Sequence, residues 1–409
     1  MDFQDTPEEA EFRKRARAFL SANLKTKAEV GAETGRDKEA NLAAARVFQK
    51  KKYEAGFAGI TMAKDYGGQG LSPIMQVIYN QEEDNFAAPR GVYEIGLGMC
   101  IPTMLAYATE EQKQRYAGPA LAGEEIWCQL FSEPAGGSDL AGLRTRAERD
   151  GDDWVINGQK IWTSGAQFCD YGILVTRSDF SAAKHDGLTF FFLDMRSPGV
   201  EIKPIVQASG IANFNEVFFT DVRIPDSQRL GDVGDGWRVS ITTLMNERLA
   251  VGTAPPPDFD ELFDLARDLE LEDGPAIQNA VVRDKLANFY VQQQGLKFTR
   301  YRTMTALSRG ETPGPEASIT KLVSATKQQE VSNFAMDLQE LAGGLMAEDA
   351  LMMQGIFQGA YLSSPGYRIA GGTDEILRNI IAERVLGLPQ DVRLDKGIPF
   401  NELPSGKAN

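Results

Sequence analysis

The chain has 409 residues, of which 42% are hydrophobic and 25% are charged, as is typical of a globular protein with an ample core. Its net charge of −15 argues against a nucleic-acid partner, because binding to phosphates requires a basic face. No apolar run is long enough to span a bilayer and residues 1–10 lack a secretory pattern, so we expect a cytoplasmic protein with no membrane partner.

Histidine and cysteine are scarce in this chain. Cys100, Cys128 and Cys169 are scattered and odd in number, which predicts small buried side chains in a reducing compartment and neither disulfides nor metal ligands. The only histidine, His185, lies in a polar stretch that we expect to form a hydrated loop between strands. A Ser-His-Asp triad would have to use this residue, and a His-rich metal site is excluded. Proton chemistry must therefore fall to carboxylates, Tyr, Lys or Cys, and we predict no metal.

The first third of the chain is predicted to be helical. Phe12, Ala16, Phe19 and Leu20 fall on one helical face among charged residues. Further helices are predicted over 41–55, 73–86 and 104–116, with a glycine-rich turn at 66–70. We assign residues 1–124 to an N-terminal helical domain.

From about residue 125, short runs of β-branched and aromatic residues alternate with turn residues. The sequence predicts a hairpin in which residues 154–156 and 159–163 flank a turn at Asn157 and Gly158. Further strands are predicted over 171–176, 188–194 and 215–219. We assign residues 125–230 to a middle antiparallel β-domain.

A helical period returns after Gly231 and persists to about Leu388. The expected helices cover 237–251, 275–309, 315–341 and 349–358, and the tail 401–409 is expected to be frayed. We assign 231–409 to a C-terminal four-helix-bundle domain. The fold class is therefore α+β and multi-domain, in the order helical, β, helical.

Residues 129–139 form the most informative local segment. Its glycines allow backbone N–H groups to approach a ligand, and Ser132 and Ser138 supply hydroxyl groups. From spacing alone, a Gly-Ser surface turn is the stronger reading. The chain has neither a P-loop nor a strand-to-helix Gly-x-Gly-x-x-Gly, so a dinucleotide would have to bind outside a Rossmann unit.

Several segments nevertheless form a specific combination. Residues 131–139 read Phe-Ser-Glu-Pro-Ala-Gly-Gly-Ser-Asp, and residues 156–164 read Ile-Asn-Gly-Gln-Lys-Ile-Trp-Thr-Ser. Residues 215–219 and 369–384 extend the pattern to nearly the whole chain. In combination, these segments resemble the acyl-CoA dehydrogenase family. The resemblance implies the same three domains, with FAD between the sheet and the C-terminal bundle.

The resemblance also implies which residues bind the cofactor. Glu340, Gly343 and Gly344 match a Gln-x-x-Gly-Gly segment that reaches the FAD of a partner subunit, although the glutamine position holds Glu340 here. Trp162 and Ser164 match residues beside the flavin ring. The cofactor-binding positions implied are Phe131, Ser132, Gly137, Ser138, Trp162, Ser164, Glu340, Gly344, Thr373 and Glu375.

The same resemblance implies the catalytic base. The reaction requires a carboxylate for the α-proton and a flavin for the hydride, on opposite faces of the Cα–Cβ bond. Many relatives carry the glutamate immediately before the C-terminal Gly-Thr pair, where this chain has Gly371. The isovaleryl- and long-chain-type relatives carry it on a helix directly before an arginine, as Glu247 stands before Arg248 here. Glu247 is therefore the expected base. Without the resemblance, a solvated helix carboxylate or a salt bridge to Arg248 would be favoured.

Substrate contacts are implied for Ser138, Arg248 and Gly371, the last through its backbone N–H at the thioester oxygen. The expected function is FAD-dependent α,β-dehydrogenation of an acyl-CoA to the trans-2-enoyl-CoA, as in fatty acid β-oxidation. Expected partners are an electron-transfer flavoprotein as electron acceptor and further copies in a homodimer or homotetramer, with a heterotetramer as the alternative. Two other functions stay open: an FAD-free structural subunit of a heteromeric dehydrogenase, and a flavin oxidase or monooxygenase of the same fold.

Overall fold

A computed structural model describes residues 5–30, 38–89, 92–250, 257–308, 314, 317–346 and 352–403. Its helices are, in chain order, α1 (Pro7–Asn23), α2 (Lys27–Val30), α3 (Lys38–Glu54), α4 (Pro73–Glu83), α5 (Ile101–Tyr107), α6 (Glu110–Ala122), α7 (Gly236–Ala250), α8 (Phe259–Asp268), α9 (Ala280–Ser308), α10 (Ala317–Leu338), α11 (Ile356–Ile369) and α12 (Asp374–Ile380). Its strands are β1 (Trp127–Leu130), β2 (Arg146–Asp150), β3 (Asp153–Ser164), β4 (Tyr171–Arg177), β5 (Leu188–Asp194), β6 (Val200–Ile205), β7 (Phe214–Pro225), β8 (Glu270–Leu271) and β9 (Gly274–Pro275).

Capping residues fix several helix starts. At α1 the Thr6 hydroxyl accepts from the Glu9 N–H, and the Glu9 carboxylate accepts from the Thr6 N–H at 2.7 Å. The same reciprocal pair, Thr109 and Gln112, begins α6. The expectation of a single helix over 104–116 was wrong, because the cap at Thr109 divides it into α5 and α6.

The described helices separate into two compact units, and the first contains α1, α2, α4 and α8 to α12. Its core lies among α8 to α11, each of which contributes buried apolar side chains, including Leu262, Leu286, Val331 and Phe357. Of the helix expected over 349–358, residues 349–351 lie outside the described residues; a 3-10 turn covers Met352–Gly355, and α11 begins only at Ile356. Gly355 has a φ of +72°, which ends the turn and allows α11 to begin.

The second unit contains α3, α5 to α7, the seven-stranded sheet and residues 391–403. The sheet has the order β1-β4-β2-β3-β7-β6, with β5 also paired to β4. Most neighbouring strands are antiparallel, as expected. However, β1 runs parallel to β4, and β2 meets β4 in parallel at Arg146 and Arg177, so the sheet is mixed.

Strands β4 and β5 lie at the centre of two hydrophobic cores. Leu174, Phe191 and Leu193 point into one core, whereas Ile173 and Phe190 point into the other. Because successive side chains of a strand alternate between faces, these two strands are apolar on both faces. The three cysteines are free and buried in the same unit, as predicted.

The expected hairpin at Asn157 and Gly158 was wrong. β3 runs without interruption through both residues, and the turn lies earlier, at Gly151 and Asp152 between β2 and β3. Gly158 instead sits at a register shift, where a Cβ atom would come within 2.7 Å of the Thr145 backbone. A glycine in a strand often marks such a close approach rather than a turn.

The α+β fold class and its order of helical, β and helical regions are confirmed. The domain boundaries at 124/125 and 230/231 stay a prediction. Among the described residues, no helix is long and apolar enough to cross a membrane. In the tail expected to be frayed, residues 401 and 402 belong to a 3-10 turn, Phe400–Glu402, and residues 404–409 lie outside the described part.

Candidate functional site

The loop of residues 131–139, called the glycine-serine loop below, begins where β1 ends. It is closed by a backbone pair: the Glu133 N–H donates to the Gly136 carbonyl at 3.1 Å, and the Gly136 N–H donates back at 2.9 Å. The Glu133 carboxylate is buried and accepts from the N–H groups of Arg144 at 2.6 Å and Thr145 at 2.9 Å. The loop is therefore anchored from within, and its far end is free to face solvent.

A fully buried lysine completes this anchor. The Lys160 ammonium donates to the Glu133 carboxylate at 2.8 Å and to the Phe131 carbonyl at 3.0 Å. Burial lowers the pKa of Lys160, and Glu133 opposes that shift. Burial would raise the pKa of Glu133, but Lys160 and the donors at Arg144 and Thr145 outweigh it, so the carboxyl pKa lies below its usual value. This geometry fits an ion pair.

The sequence had not indicated that Glu133 and Lys160 form this pair. Both residues stand inside the segments that carried the family resemblance, and neither was assigned a role. The available signal was a negative charge in one of the two motifs and a positive charge in the other. Charged residues are almost never fully buried unless they are paired, so their burial could not be inferred before the partner was known.

The four predicted ligand residues of this loop differ in exposure. Phe131 is buried and packs edge-on against Phe190, with ring centroids 5.7 Å apart, whereas Ser132 is half-buried. Gly137 and Ser138 are exposed at the loop's tip. A Cβ atom at Gly137 would meet nothing within 4 Å, so packing among the described residues does not require glycine there.

Trp162 is the most unusual residue of the sheet. Its φ is +61°, which is rare for a bulky residue, and its side chain is 55% exposed. It sits at a register shift in β3, and its ring meets Phe214 edge-on at 6.1 Å. The Ile161 N–H donates to the Ser132 carbonyl at 2.9 Å. Trp162 therefore comes immediately after the residue of β3 that is hydrogen-bonded to the glycine-serine loop. Half-buried Ser164 pairs with Phe214 across the sheet.

The expected base and its neighbour lie near the end of α7. The backbone of Glu247 and Arg248 is helical, but their side chains lie outside the described part. Val239 and Thr243 on this helix are fully buried, and the Thr243 hydroxyl lies 2.9 Å from that of Thr103. Position 247 follows Thr243 by four residues along this helix.

The remaining predicted residues belong to the first unit. Gly371 and Gly372 have φ values of +65° and +94°, and the Gly372 carbonyl accepts from the Lys321 ammonium at 2.6 Å. The Thr373 hydroxyl caps α12 by accepting from the Ile376 N–H, and Glu375 is exposed in the first turn. This tight turn holds the backbone around Gly371 in a defined conformation.

Glu340 and Gly344 are the first and last residues of a 3-10 turn after α10. Glu340 is exposed with a φ of +52°. Gly343 is required by packing, because a Cβ atom would lie 2.3 Å from the Met336 carbonyl oxygen. Gly344 has open space around it. Like Gly137, it has no packing reason among the described residues to be glycine.

Sequence models of three successive domains match this chain. They are the N-terminal, middle and C-terminal domains of acyl-CoA dehydrogenases, at residues 6–124, 128–222 and 234–386. The chain belongs to the acyl-CoA dehydrogenase family.

Relatives agree with this assignment. The acyl-CoA dehydrogenase IpdE1 of Mycobacterium tuberculosis is 35% identical over 94% of this chain and 98% of its own length. The acyl-CoA dehydrogenase FadE34 of the same organism is 38% identical over 79% of this chain, and the chain spans only 44% of that longer protein.

Two solved structures have the same fold. The ChsE4-ChsE5 complex from Mycobacterium tuberculosis has a chain that matches with a TM-score of 0.79 at 27% identity, over 96% of this chain and 100% of that one. A structure named Tcur3481-Tcur3483 steroid ACAD matches with a TM-score of 0.78 at 26% identity, with the same coverage of both chains. The chain is thus an acyl-CoA dehydrogenase, an oxidoreductase that introduces an α,β double bond into an acyl-CoA thioester.

Members of this family generally use FAD, and the second unit of the dehydrogenase fits such a group. The exposed Trp162 indole offers a flat apolar surface beside a loop with open backbone at Gly137 and a hydroxyl at Ser138. Among the described residues, packing explains neither the strained backbone of Trp162 nor the glycine at 137. Among the described residues, no group of three His, Cys, Asp or Glu side chains could hold a metal.

Proposed function

We propose that this dehydrogenase binds FAD against Trp162 and the loop 131–138, and that Glu247 removes the substrate's α-proton. The observation that carries the cofactor proposal is Trp162, a bulky residue with a φ of +61° whose indole is 55% exposed. Backbone strain of this kind costs about 1–3 kcal/mol and persists where the surrounding structure demands it. A flat ligand that packs on the indole would explain it.

Bound FAD supplies the acceptor for the hydride that leaves the β-carbon. Glu247 takes the α-proton as a carboxylate, and exclusion of water by the acyl chain would raise its pKa and strengthen it as a base. Deprotonation places negative charge on the thioester oxygen. We assign its stabilisation to the Gly371 N–H, because a glycine in this tight turn keeps its donor although it lacks a side chain. Ser138 is assigned to the start of the acyl chain, and Arg248 is assigned to the CoA portion.

The base assignment is tested by Glu247→Gln, which preserves shape but cannot accept a proton. We expect flavin reduction to slow by about three or more powers of ten in stopped-flow measurements, with FAD content unchanged. Glu330→Gln makes the same chemical change at an exposed position of α10 and serves as the control. Near-normal reduction in Glu247→Gln would show that another group is the base.

The cofactor proposal has its own test. Purified protein should contain about one non-covalent FAD per chain, visible in its absorption spectrum and bleached by a good acyl-CoA. A colourless protein that cannot be reconstituted would favour the FAD-free structural subunit. Reduced flavin that reacts rapidly with oxygen would favour the oxidase or monooxygenase. In neither case would the dehydrogenase mechanism stand.

We also propose that a second subunit covers the turn at Gly344. Leu341 is 95% exposed and Met346 is 61% exposed on either side of it, and Gly344 leaves its backbone accessible. A partner over this turn would bury both side chains and bring Glu340 and Gly344 to that partner's FAD. We expect a dimer or tetramer by light scattering, and a monomer with full FAD occupancy would contradict it. Because the two similar structures carry paired names, a heterotetramer is the other outcome.

For the substrate, we propose an acyl group bulkier than a straight fatty chain. Support comes from the proposed base Glu247 on α7, a position that the resemblance associates with relatives that accept branched or long chains, and from the steroid ACAD among the similar structures. An electron-transfer flavoprotein is the proposed acceptor. A panel of straight, branched and ring-bearing acyl-CoAs, compared by kcat/KM, decides between this proposal and fatty acid β-oxidation.

A further inference from the structure

Residues 391–403 pack against the loop that joins β4 to β5. The Phe400 N–H donates to the Ala182 carbonyl and the Asn401 N–H donates to the Phe180 carbonyl, each at 2.9 Å. A bridge between Ala183 and Pro399 adds to this pairing. Phe400 is only 4% exposed. The C-terminal segment is thus an integral part of the second unit.

Phe400 covers a buried arginine. The Arg177 guanidinium lies 3.5 Å from the centroid of the Phe400 ring and is fully buried. It donates to the carbonyls of Ala141 at 2.5 Å and Leu143 at 3.1 Å, which follow the glycine-serine loop directly. Burial lowers the pKa of Arg177 to about 10. Without the Phe400 ring, the Arg177 guanidinium would be less buried and less restricted in position. The carbonyls of Ala141 and Leu143 would then lose a fixed hydrogen-bond donor.

Lys184 makes a second connection between the same segments. Its ammonium donates to Asp139 at 2.7 Å, at the end of the glycine-serine loop, and to Asp395 at 3.1 Å, in the C-terminal segment. The Lys184 side chain is only 13% exposed. One lysine therefore joins the loop's last residue to the chain's C-terminal part.

We propose that residues 391–403 are a positioning element for the loop 131–139, acting through Lys184 and through Arg177 beneath Phe400. Residues 391–403, Lys184 and Arg177 were not among the predicted ligand-binding residues. Their role is to restrict the loop to the conformation that accepts the ligand, which lowers the ordering cost of binding. The ligand's identity as FAD rests on the proposed function, whereas the restriction of the loop does not.

The test uses Asp395→Asn, which removes the negative charge that pairs with Lys184 while keeping the shape of the side chain. Lys184→Met removes both contacts. Asp391→Asn makes the same change at an exposed residue of the same segment and is the matched control. Each full-length variant is measured in two ways: hydrogen exchange of the backbone amides of residues 136–143 in the apoprotein, and the dissociation constant of FAD by fluorescence titration.

We expect exchange across 136–143 to rise about three- to tenfold in Asp395→Asn, and further in Lys184→Met, with Asp391→Asn unchanged. The dissociation constant for FAD should rise by a similar factor. A purely structural role would instead raise exchange throughout the second unit, or only in 391–403, and either pattern overturns the proposal. Unchanged exchange in both variants also overturns it. If the wild-type protein does not bind FAD, the proposed cofactor is wrong, and the exchange measurement alone decides this proposal.

Discussion

The imidazole of His185 packs edge-on against the indole of Trp237, with ring centroids 4.7 Å apart. The sequence predicted a hydrated loop between strands; the loop is present, but His185 is only partly exposed within it. His185 does lie between β4 and β5, but Trp237 at the start of α7 covers it and it is half-buried. The chain's single histidine thus reports on the contact between this loop and α7.

We predict that His185 titrates below its usual pKa of 6.5. Burial is the main cause and Lys184 adds to it, while Asp395, Asp139 and Asp186 oppose the shift. Since the protein has one histidine, its imidazole proton resonances can be followed by NMR without assignment. A midpoint at or above 6.5 would contradict the burial seen in the structure.

This shift carries a stability consequence of definite sign. Because protonation is harder in the folded than in the unfolded state, stability is lost as pH falls from about 6.5 through the folded pKa. His185→Phe keeps a ring against Trp237 and removes the titration, so its melting temperature should change less over this pH range than that of the wild type.

Breaking the buried ion pair should destabilise the protein strongly. Lys160→Met leaves Glu133 buried without its cation, and we expect the free energy of unfolding to fall by about 3–5 kcal/mol in denaturant titrations. Adding Glu133→Gln to Lys160→Met should restore part of the lost free energy of unfolding. Lys203→Met, in a well-exposed pair with Glu201, is the control and should cost no more than about 1 kcal/mol. Equal effects at the two lysines would refute the assigned role.

Two glycine substitutions separate ligand binding from folding. Gly137→Ala should leave apoprotein stability unchanged, because the added Cβ meets nothing, yet raise the dissociation constant for FAD about tenfold if the ligand approaches the backbone there. Gly158→Ala places its Cβ within 2.7 Å of Thr145 and should destabilise the fold by about 1–3 kcal/mol. Unaltered FAD affinity in Gly137→Ala would remove this glycine from the site.

A second carboxylate position can be tested by Gly371→Glu in the Glu247→Gln background. The φ of +65° at Gly371 makes any side chain there cost about 1–2 kcal/mol, so we expect only partial recovery of flavin reduction. Gly371→Ala in the same background carries the same strain without a carboxylate. The glutamate variant should be at least about tenfold faster than the alanine variant, and equal rates would exclude position 371 as a base.

The order of elements was predictable because β4 and β5 are short, continuous apolar runs, whereas α1 carries its buried Phe12, Ala16 and Leu20 at helical spacing. The hairpin was misplaced because Asn157-Gly158 and Asp150-Gly151 are both turn signals, and only tertiary contact with Thr145 shows that Gly158 serves a close approach. The cap at Thr109 did have a local signal in Gln112, three residues on. In the site, Lys160 and Glu133 could not be paired without the topology that places β3 beside the loop.

Phe400 has a consequence for synthesis of the protein. The last strand of the sheet ends at Pro225, yet the Phe400 ring reaches Arg177 only after a further 175 residues (400 − 225) have been added. At 5–20 residues per second, the ribosome needs roughly 10 to 35 s for that stretch. During this time the nascent sheet lacks both the Phe400 ring against Arg177 and the Asp395 contact to Lys184, so this unit cannot finish folding before residue 400 has been made.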